Sequence, residues 1–315
     1  MATASGSIIA ALAVPWLWQP ITIAAALAQT LRNAAQRHLT GDLGALGATL
    51  VRFLYGLPFA LLWLLLLRSL TTDAPTPALS LRFFLWTALG GVAQIAGTAA
   101  LLRVMAERNF ALGVAYSKTE VIQVALIGAL LLADPLSPAG LAAIVVASAG
   151  VVLLSLPKGT RSLGAIAAGW TTRPALLGLA SGTAFAVAAA SFRGAALSLG
   201  GEAASAAAYT LASAQLIQTV VLGGWLLLRQ RRVIVAVLRA WRVSLLAGFM
   251  GALASMLWFT AMAMEPVAHV RTLGLVELLF SYIISARFFR ERLGPAEVAG
   301  FILLGLGLLG ILRLR

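Results

Sequence analysis

The chain contains an internal repeat, and both copies of it are strongly apolar. Residues 101–154 align without a gap with the stretch that begins at residue 258, so that Glu120 falls on Glu277 (277 − 120 = 157). Other identical pairs at the same offset include Ala106 and Ala263, Leu136 and Leu293, Pro138 and Pro295, Ala139 and Ala296, and Gly150 and Gly307. A duplicated sequence predicts a duplicated structural unit, and in a membrane chain such units commonly surround a central site.

The composition is that of an all-α integral membrane protein. Hydrophobic residues make up 61% of the chain and charged residues 10%, against about 25% charged residues in soluble domains. The mean hydropathy is +0.97, and apolar runs long enough to cross a bilayer recur from end to end. No segment is polar enough to form a soluble domain.

Hydropathy and helix-breaking residues predict ten transmembrane helices. We place them near residues 15–37, 44–68, 81–105, 110–133, 137–157, 174–198, 204–228, 243–263, 267–288 and 294–312. The long connection 158–173 then separates a first repeat, 1–157, from a second, 174–315. Because each repeat has five spans, the second enters the membrane in the opposite orientation, which predicts two five-helix inverted repeats.

The net charge of +13 comes largely from arginines in the connections between the spans. Such residues hold loops against anionic headgroups, so we expect a bilayer and no nucleic acid as a partner. Most of them follow odd-numbered spans, and positive-inside counting then places both termini outside. The chain has no Cys and two His, and we expect neither a metal nor a cofactor.

The first span carries a polar stripe at helical spacing. Gln29, Arg32, Asn33 and Gln36 lie on one face, which we expect to look into the bundle because lipid-facing polar groups are costly. The alternative is that Arg32 and Gln36 lie near the end of the span and extend to the headgroups.

Two carboxylates are predicted at equivalent depths in the two repeats. Glu120 shares a helix face with Tyr116, whereas Lys118 points away from Glu120 by about 160° on a continuous helix, and Glu277 follows Arg271. A carboxylate in mid-membrane is a candidate proton carrier or substrate partner. Its alternative role is a structural ion pair with one of four cations, namely Arg52, Arg103, Lys118 and Arg271.

These deep charges are predominantly basic, which favours a substrate with an acidic group because an unpartnered buried cation is costly. The candidate substrate-binding residues are Gln29, Arg32, Asn33, Gln36, Arg52, Tyr55, Tyr116, Lys118, Trp258 and Arg271, with Glu120 and Glu277 as coupling or ion-pair residues. Proton-coupled efflux of lipophilic or cationic compounds is the alternative. No nucleophile–base pair or other catalytic constellation indicates an enzyme.

Three segments resemble the drug/metabolite transporter superfamily, and specifically its EamA-like ten-helix members. They are Ala-Met-Ala-Met-Glu-Pro-Val at 261–267, Val276–Glu277, and Arg-Glu-Arg-Leu-Gly-Pro-Ala-Glu-Val-Ala-Gly at 290–300. The first repeat matches more loosely. The sequence departs from the family pattern at Val121 and Leu278, where a proline commonly follows the carboxylate.

The resemblance implies two inverted repeats, a central cavity between the first four spans of each half, and alternating access. It also implies cytoplasmic termini, against the Lys and Arg count. Together with the residues, it predicts a secondary transporter of the bacterial inner membrane, monomeric or homodimeric, that exports or exchanges an amino acid or organic anion.

Overall fold

A computed structural model describes residues 15–70, 76–107, 117–118, 120–154, 173–280, 282–283 and 295–313, and every regular element in them is helical. The helices are α1 (Trp18–Leu54), α2 (Leu57–Leu70), α3 (Leu81–Glu107), α4 (Glu120–Leu132), α5 (Pro138–Leu154), α6 (Arg173–Leu199), α7 (Ala203–Arg229), α8 (Arg231–Arg239), α9 (Trp241–Met264), α10 (Val267–Leu273) and α11 (Pro295–Leu312).

Five helical stretches are long and apolar enough to cross a membrane, within the residues described. They are Trp18–Leu70, Leu81–Ala106, Ala175–Leu199, Ala203–Arg229 and Trp241–Met264. Shorter apolar helices cover Glu120–Leu132, Pro138–Leu154 and Val298–Leu312. Leucines on the outer surface are widely exposed, with Leu130 at 82% and Leu228 at 79%, as a surface in contact with lipid requires. The count of ten spans and their inverted arrangement stay predictions.

The predicted boundary between the first and second spans differs from the boundary in the structure. We predicted a span end near residue 37, but helical structure continues to Leu54 and is interrupted at Gly44, where φ is +65°. This left-handed conformation suits a residue without a Cβ. The predicted second span is also interrupted, because a turn at Tyr55–Gly56 separates α1 from α2.

Three further segments differ from the predicted continuous spans and loops. The helix α4 begins at Glu120, and the preceding residues 108–116 lie outside the described part of the chain. In the predicted ninth span, α10 ends at Leu273 and a 3-10 turn, Gly274–Val276, precedes Glu277. The predicted loop after the seventh span contains α8, a helix with exposed Arg231 and Arg232 and a buried Val237.

The helices associate in extended pairs: α1 packs along α9, α3 along α6, and α5 along α11. Small residues permit this proximity, as is usual between membrane helices. At Gly150 an added Cβ would lie 2.6 Å from the backbone nitrogen of Leu304, and at Gly307 it would lie 2.6 Å from the backbone nitrogen of Ala147. The helix α1 also contacts the Gly274–Val276 turn, and the polar residues of α1 and Glu277 line one cavity.

Candidate functional site

A cavity of about 30 Å³ lies within the bundle, in a region with about 550 Å³ of space between atoms that includes open solvent. Its polar lining consists of Gln29, Arg32, Asn33, Arg52, Gln94, Ser117, Lys118, Glu120, Ser255, Trp258, Arg271 and Glu277. Its apolar lining consists of Leu101, Phe185, Ala188, Ala189, Phe192, Phe259 and Met262. Twelve polar residues, four of them cationic, and seven apolar residues line this one surface, which makes it a candidate binding site.

Glu277 is fully buried and accepts hydrogen bonds on both carboxylate oxygens. Lys118 Nζ lies 2.5 Å from Oε2, and Gln29 Nε2 donates to the same oxygen at 2.7 Å. Asn33 Nδ2 donates to Oε1 at 3.0 Å. These donors come from residues before position 158, so the contacts tie the two parts of the chain together across the cavity.

Glu120 forms the second ion pair of the cavity, in which the carboxylate comes from the first half of the chain. Arg271 Nη2 lies 2.9 Å from Glu120 Oε1, and its guanidinium lies 4.8 Å from the centre of the Trp258 ring. The Trp258 indole donates to Gln29 Oε1 at 3.1 Å. Gln29 therefore links the two ion pairs, donating to Glu277 and accepting from Trp258.

Arg32 and Arg52 have no carboxylate within ion-pair distance among the described residues. Arg32 Nη2 donates to Asn33 Oδ1 at 2.6 Å. Arg52 donates to the hydroxyls of Thr98 at 3.2 Å and Ser255 at 3.1 Å. One nitrogen of each guanidinium, Arg32 Nη1 and Arg52 Nε, is buried and has no hydrogen-bond partner in the described part of the chain.

The side chains of these two arginines run side by side. An added Cβ at Gly251 would lie 3.1 Å from Arg52 Cγ and 3.4 Å from Arg32 Cδ, so both stems cross the same glycine of α9. Both residues are almost wholly buried, with 2% exposure for Arg32 and 3% for Arg52. Two adjacent buried cations repel each other, and an anion bound between them would relieve that repulsion.

The charges that line the cavity therefore do not balance. Four cations, Arg32, Arg52, Lys118 and Arg271, face two carboxylates, Glu120 and Glu277. Lys118 and Arg271 are neutralised by the carboxylates. The excess of two positive charges resides on the neighbouring pair Arg32 and Arg52.

The apolar lining of the cavity is supplied mainly by α6 and the end of α9. Phe185 and Phe192 are separated by seven residues and share a face of α6, with Ala188 and Ala189 between them. The ring of Phe192 lies against that of Phe259, with 4.4 Å between the ring centres. This surface offers dispersion contacts and space and contains no hydrogen-bonding side chain.

The structure brings nine of the twelve predicted site residues to the cavity. They are Gln29, Arg32, Asn33, Arg52, Lys118, Glu120, Trp258, Arg271 and Glu277. Lys118 and Glu120 both face it because the helix is interrupted at Lys118, whereas a continuous helix would point them apart.

Two predicted residues lie away from the cavity, and a third cannot be placed. Gln36 is buried and donates to the Ala48 carbonyl at 2.7 Å, and the Tyr55 hydroxyl donates to the Val237 carbonyl at 3.1 Å. Both bonds satisfy backbone oxygens near helix interruptions. Tyr116 lies outside the described residues. Arg103, considered as an ion-pair partner, is exposed.

Sequence reasoning missed the whole apolar surface and a third buried ion pair, which lies outside the cavity lining. Arg193 donates to Asp134 Oδ1 through Nε at 2.8 Å and to the Glu265 carbonyl at 2.7 Å, and the Val267 amide donates to Asp134 Oδ2 at 3.2 Å. This cluster joins α6 to the ends of α4 and α9. The spacing of Phe185 and Phe192 was a visible signal for the apolar surface, but a buried helix face gives the same pattern.

Comparison with known proteins agrees with this architecture. The model of the EamA-like transporter family matches residues 172–313, which include all three segments on which the resemblance rests. No curated protein matches the sequence. A solved structure described as "Crystal structure of protein" superimposes with a TM-score of 0.64, covering 93% of this chain and 94% of its own, at 16% identity. That likeness shows the fold alone.

Apolar helices that can cross a bilayer, a buried charged cavity and the family match lead to one conclusion. Residues 172–313 match the EamA-like transporter family, which implies a membrane transporter of the drug/metabolite type, and the apolar helices indicate a multi-pass membrane protein.

Proposed function

We propose that this chain is a secondary transporter of a small organic acid, which is bound by its acidic group at Arg32 and Arg52 and by an apolar portion at α6. The observation that carries the proposal is the pair of buried guanidinium groups that face the cavity and have no carboxylate partner among the described residues. A charged hydrogen bond in a water-excluding site is strong, and leaving such a cation unpartnered is costly. An acidic substrate supplies the missing acceptor.

The helix pairs support alternating access by two inverted repeats. If the repeats correspond span by span, the first span corresponds to the sixth and the third to the eighth. Exchanging the halves then converts the α1–α9 pair into the α6–α3 pair, and both pairs are present. The α5–α11 pair is converted into itself. Rocking of one repeat against the other would expose the central cavity to each side in turn.

The ion pairs Lys118–Glu277 and Arg271–Glu120 fit such a movement. Each joins a residue of the proposed first repeat to one of the second. We infer that they hold the repeats in register around the cavity and rearrange when the repeats move. In a bacterial cell the transporter would work in the inner membrane, exporting or exchanging its substrate.

The cation-efflux alternative receives less support from the same geometry. It requires a carboxylate free to exchange between a proton and a cationic substrate. Glu277 already accepts bonds from Lys118, Gln29 and Asn33, and Glu120 binds Arg271. A lipophilic cation would also enter a cavity with an excess of positive charge.

The proposal is tested with purified protein in two steps. A thermal-shift screen compares organic acids (benzoate, succinate and glutamate) with tetraphenylphosphonium as a lipophilic cation, because a bound ligand raises the melting temperature by mass action. The radiolabelled form of the best ligand then enters a counterflow assay in proteoliposomes. We expect acids to stabilise the protein and to show counterflow.

The variants Arg32→Gln and Arg52→Gln should abolish most of this counterflow, and Arg103→Gln should retain it because Arg103 is exposed and outside the cavity lining. Counterflow of the cation alone, unaffected by either cavity variant, would replace the organic-acid proposal with the efflux alternative.

A further inference from the structure

The pairing of the cavity charges indicates how many charges the substrate has. We propose that the substrate is an anion with two negative charges and no ammonium group, such as a phosphate monoester or a dicarboxylate. The inference rests on the proposed function and narrows it: a zwitterionic amino acid is excluded.

Two positive charges of the cavity remain after its carboxylates have been paired. Lys118 is 2.5 Å from Glu277, and Arg271 is 2.9 Å from Glu120. Arg32 and Arg52 remain, and the polar atoms they contact in the described residues are the neutral groups of Asn33, Thr98 and Ser255. A singly charged anion leaves one of these buried cations uncompensated, whereas a doubly charged anion compensates both.

The geometry of the two guanidinium groups suits an anionic group with several oxygens. Their stems cross the same residue, Gly251, and each has one buried nitrogen without a partner, Arg32 Nη1 and Arg52 Nε. Adjacent planar guanidinium groups suit the several oxygens of a phosphoryl group or of paired carboxylates. These two donors, one on each side of the interruption of α1 at Gly44, would hold one such group without displacing the existing bonds to Asn33, Thr98 and Ser255.

An ammonium group on the substrate would have no unpaired carboxylate to bind in the cavity lining. To be bound in this cavity it needs a carboxylate, and the acceptors of Glu277 are already occupied by Lys118, Gln29 and Asn33. Glu120 is held by Arg271. An amino acid would bring its positive charge next to four cations, with both carboxylates already paired.

Ligands with one phenyl ring and different charges test the inference by isothermal titration of the detergent-solubilised protein at pH 8. The dianions are phenyl phosphate and phenylsuccinate, the monoanions are phenyl methyl phosphate and phenylacetate, and phenylalanine is the zwitterion. Methyl phosphate and succinate repeat the dianion test without the ring. We expect a dianion to bind at least about tenfold more tightly than its monoanion, a difference of about 1.4 kcal/mol.

Comparison of the two dianions distinguishes a phosphoryl group from a pair of carboxylates. Arg52→Gln should weaken dianion binding by about tenfold and monoanion binding by less, because one excess charge remains to compensate a monoanion. Arg32→Gln should do the same and serves if Arg52→Gln does not fold. Arg103→Gln is the control and should bind like the unaltered protein.

The outcomes separate the inference from the proposed function. Equal or tighter binding of a monoanion or of phenylalanine overturns the dianion inference and leaves an organic-acid transporter. Binding of none of the anions overturns both. Preference for dianions that persists in both arginine variants places the selectivity elsewhere and also overturns the inference.

Discussion

Helices α1 and α6 both line the central cavity, but they contribute opposite chemistry to it. The first helix presents Gln29, Arg32 and Asn33, all hydrogen-bonded in a charged network. The sixth presents Phe185, Ala188, Ala189 and Phe192. The two helices have similar roles in the fold, because α1 packs along α9 and α6 packs along α3.

The difference shows that a shared packing role does not fix the chemistry of the cavity. Helix pairing depends on small residues and close backbones, which leaves the residues that face the cavity free to differ. Charge is concentrated on α1 and its neighbours, while α6 supplies space and apolar contacts. A molecule bound between them would orient its acidic group toward α1.

The largest expected effect is on the charged network itself. Lys118→Met removes the cation bound to Glu277 and leaves a buried carboxylate without a charge partner. We expect a loss of about 3–5 kcal/mol in the free energy of unfolding, measured by equilibrium unfolding in detergent. The double variant Lys118→Met/Glu277→Gln should be more stable than the single one. If the double variant is no more stable, the ion pair is not the source of the effect.

The second effect concerns the tryptophan that joins the two ion pairs. An added Cβ at Gly274 would lie 2.3 Å from Trp258 Cη2, so Gly274→Ala should displace the ring from Gln29 and Arg271. We expect a loss of about 1–3 kcal/mol in unfolding free energy. Gly305→Ala is the matched control, because no atom lies within 4 Å of an added Cβ in this apolar helix. Equal stability of the two variants would contradict the tight packing at Trp258.

The third effect follows from placing charge on the apolar side. Ala189→Glu would bring a carboxylate into the cavity and compensate one of the excess cations. We expect anion binding to weaken by about tenfold, or about 1.4 kcal/mol, in titrations with phenyl phosphate. Ala189→Gln has nearly the same volume without the charge and should weaken binding less. Identical losses in both variants would mean that volume alone limits binding.

The smallest effect is expected within the apolar surface. Phe192→Leu removes the ring contact with Phe259 and keeps an apolar side chain. An aromatic contact contributes about 0.5–1.5 kcal/mol, so binding of phenyl phosphate should weaken by about threefold. Binding of methyl phosphate should not change, because it has no ring to place there. A similar loss for both ligands would show that Phe192 acts on the acid-binding side.

The sequence predicted the polar side of the cavity much better than the apolar side. Arg32, Arg52, Glu120 and Glu277 are conspicuous because a charged residue in an apolar helix is costly and needs a protein or water environment. The partners of each charge could not be predicted, since the pairing of Lys118 with Glu277 depends on how residues 159 positions apart are folded together. Phe185 and Phe192 resembled any buried residues in an apolar helix.

Helix boundaries that depend on the local sequence were predicted well, whereas interruptions that depend on the tertiary structure were not. Most predicted spans agree with the helices within a few residues, as at Arg173–Leu199 and Ala203–Arg229. The interruption before Glu120 and the 3-10 turn at Gly274–Val276 were not predicted. Both occur where the backbone delivers a charged side chain to the cavity, and no proline or glycine cluster precedes Glu120 to indicate it.

A crystal structure with 4-bromophenyl phosphate would test the division of the cavity into an acid-binding side and an apolar side, because anomalous scattering identifies the bromine independently of the phosphate. We predict phosphate density between Arg32 Nη1 and Arg52 Nε, which are both buried and lack hydrogen-bond partners in the described residues. The bromine peak should lie beside Phe185, Phe192 and Phe259 on the apolar side. A bromine peak next to Lys118 and Glu277, or a cavity empty at saturating ligand, would contradict the division of the cavity into an acid-binding side and an apolar side.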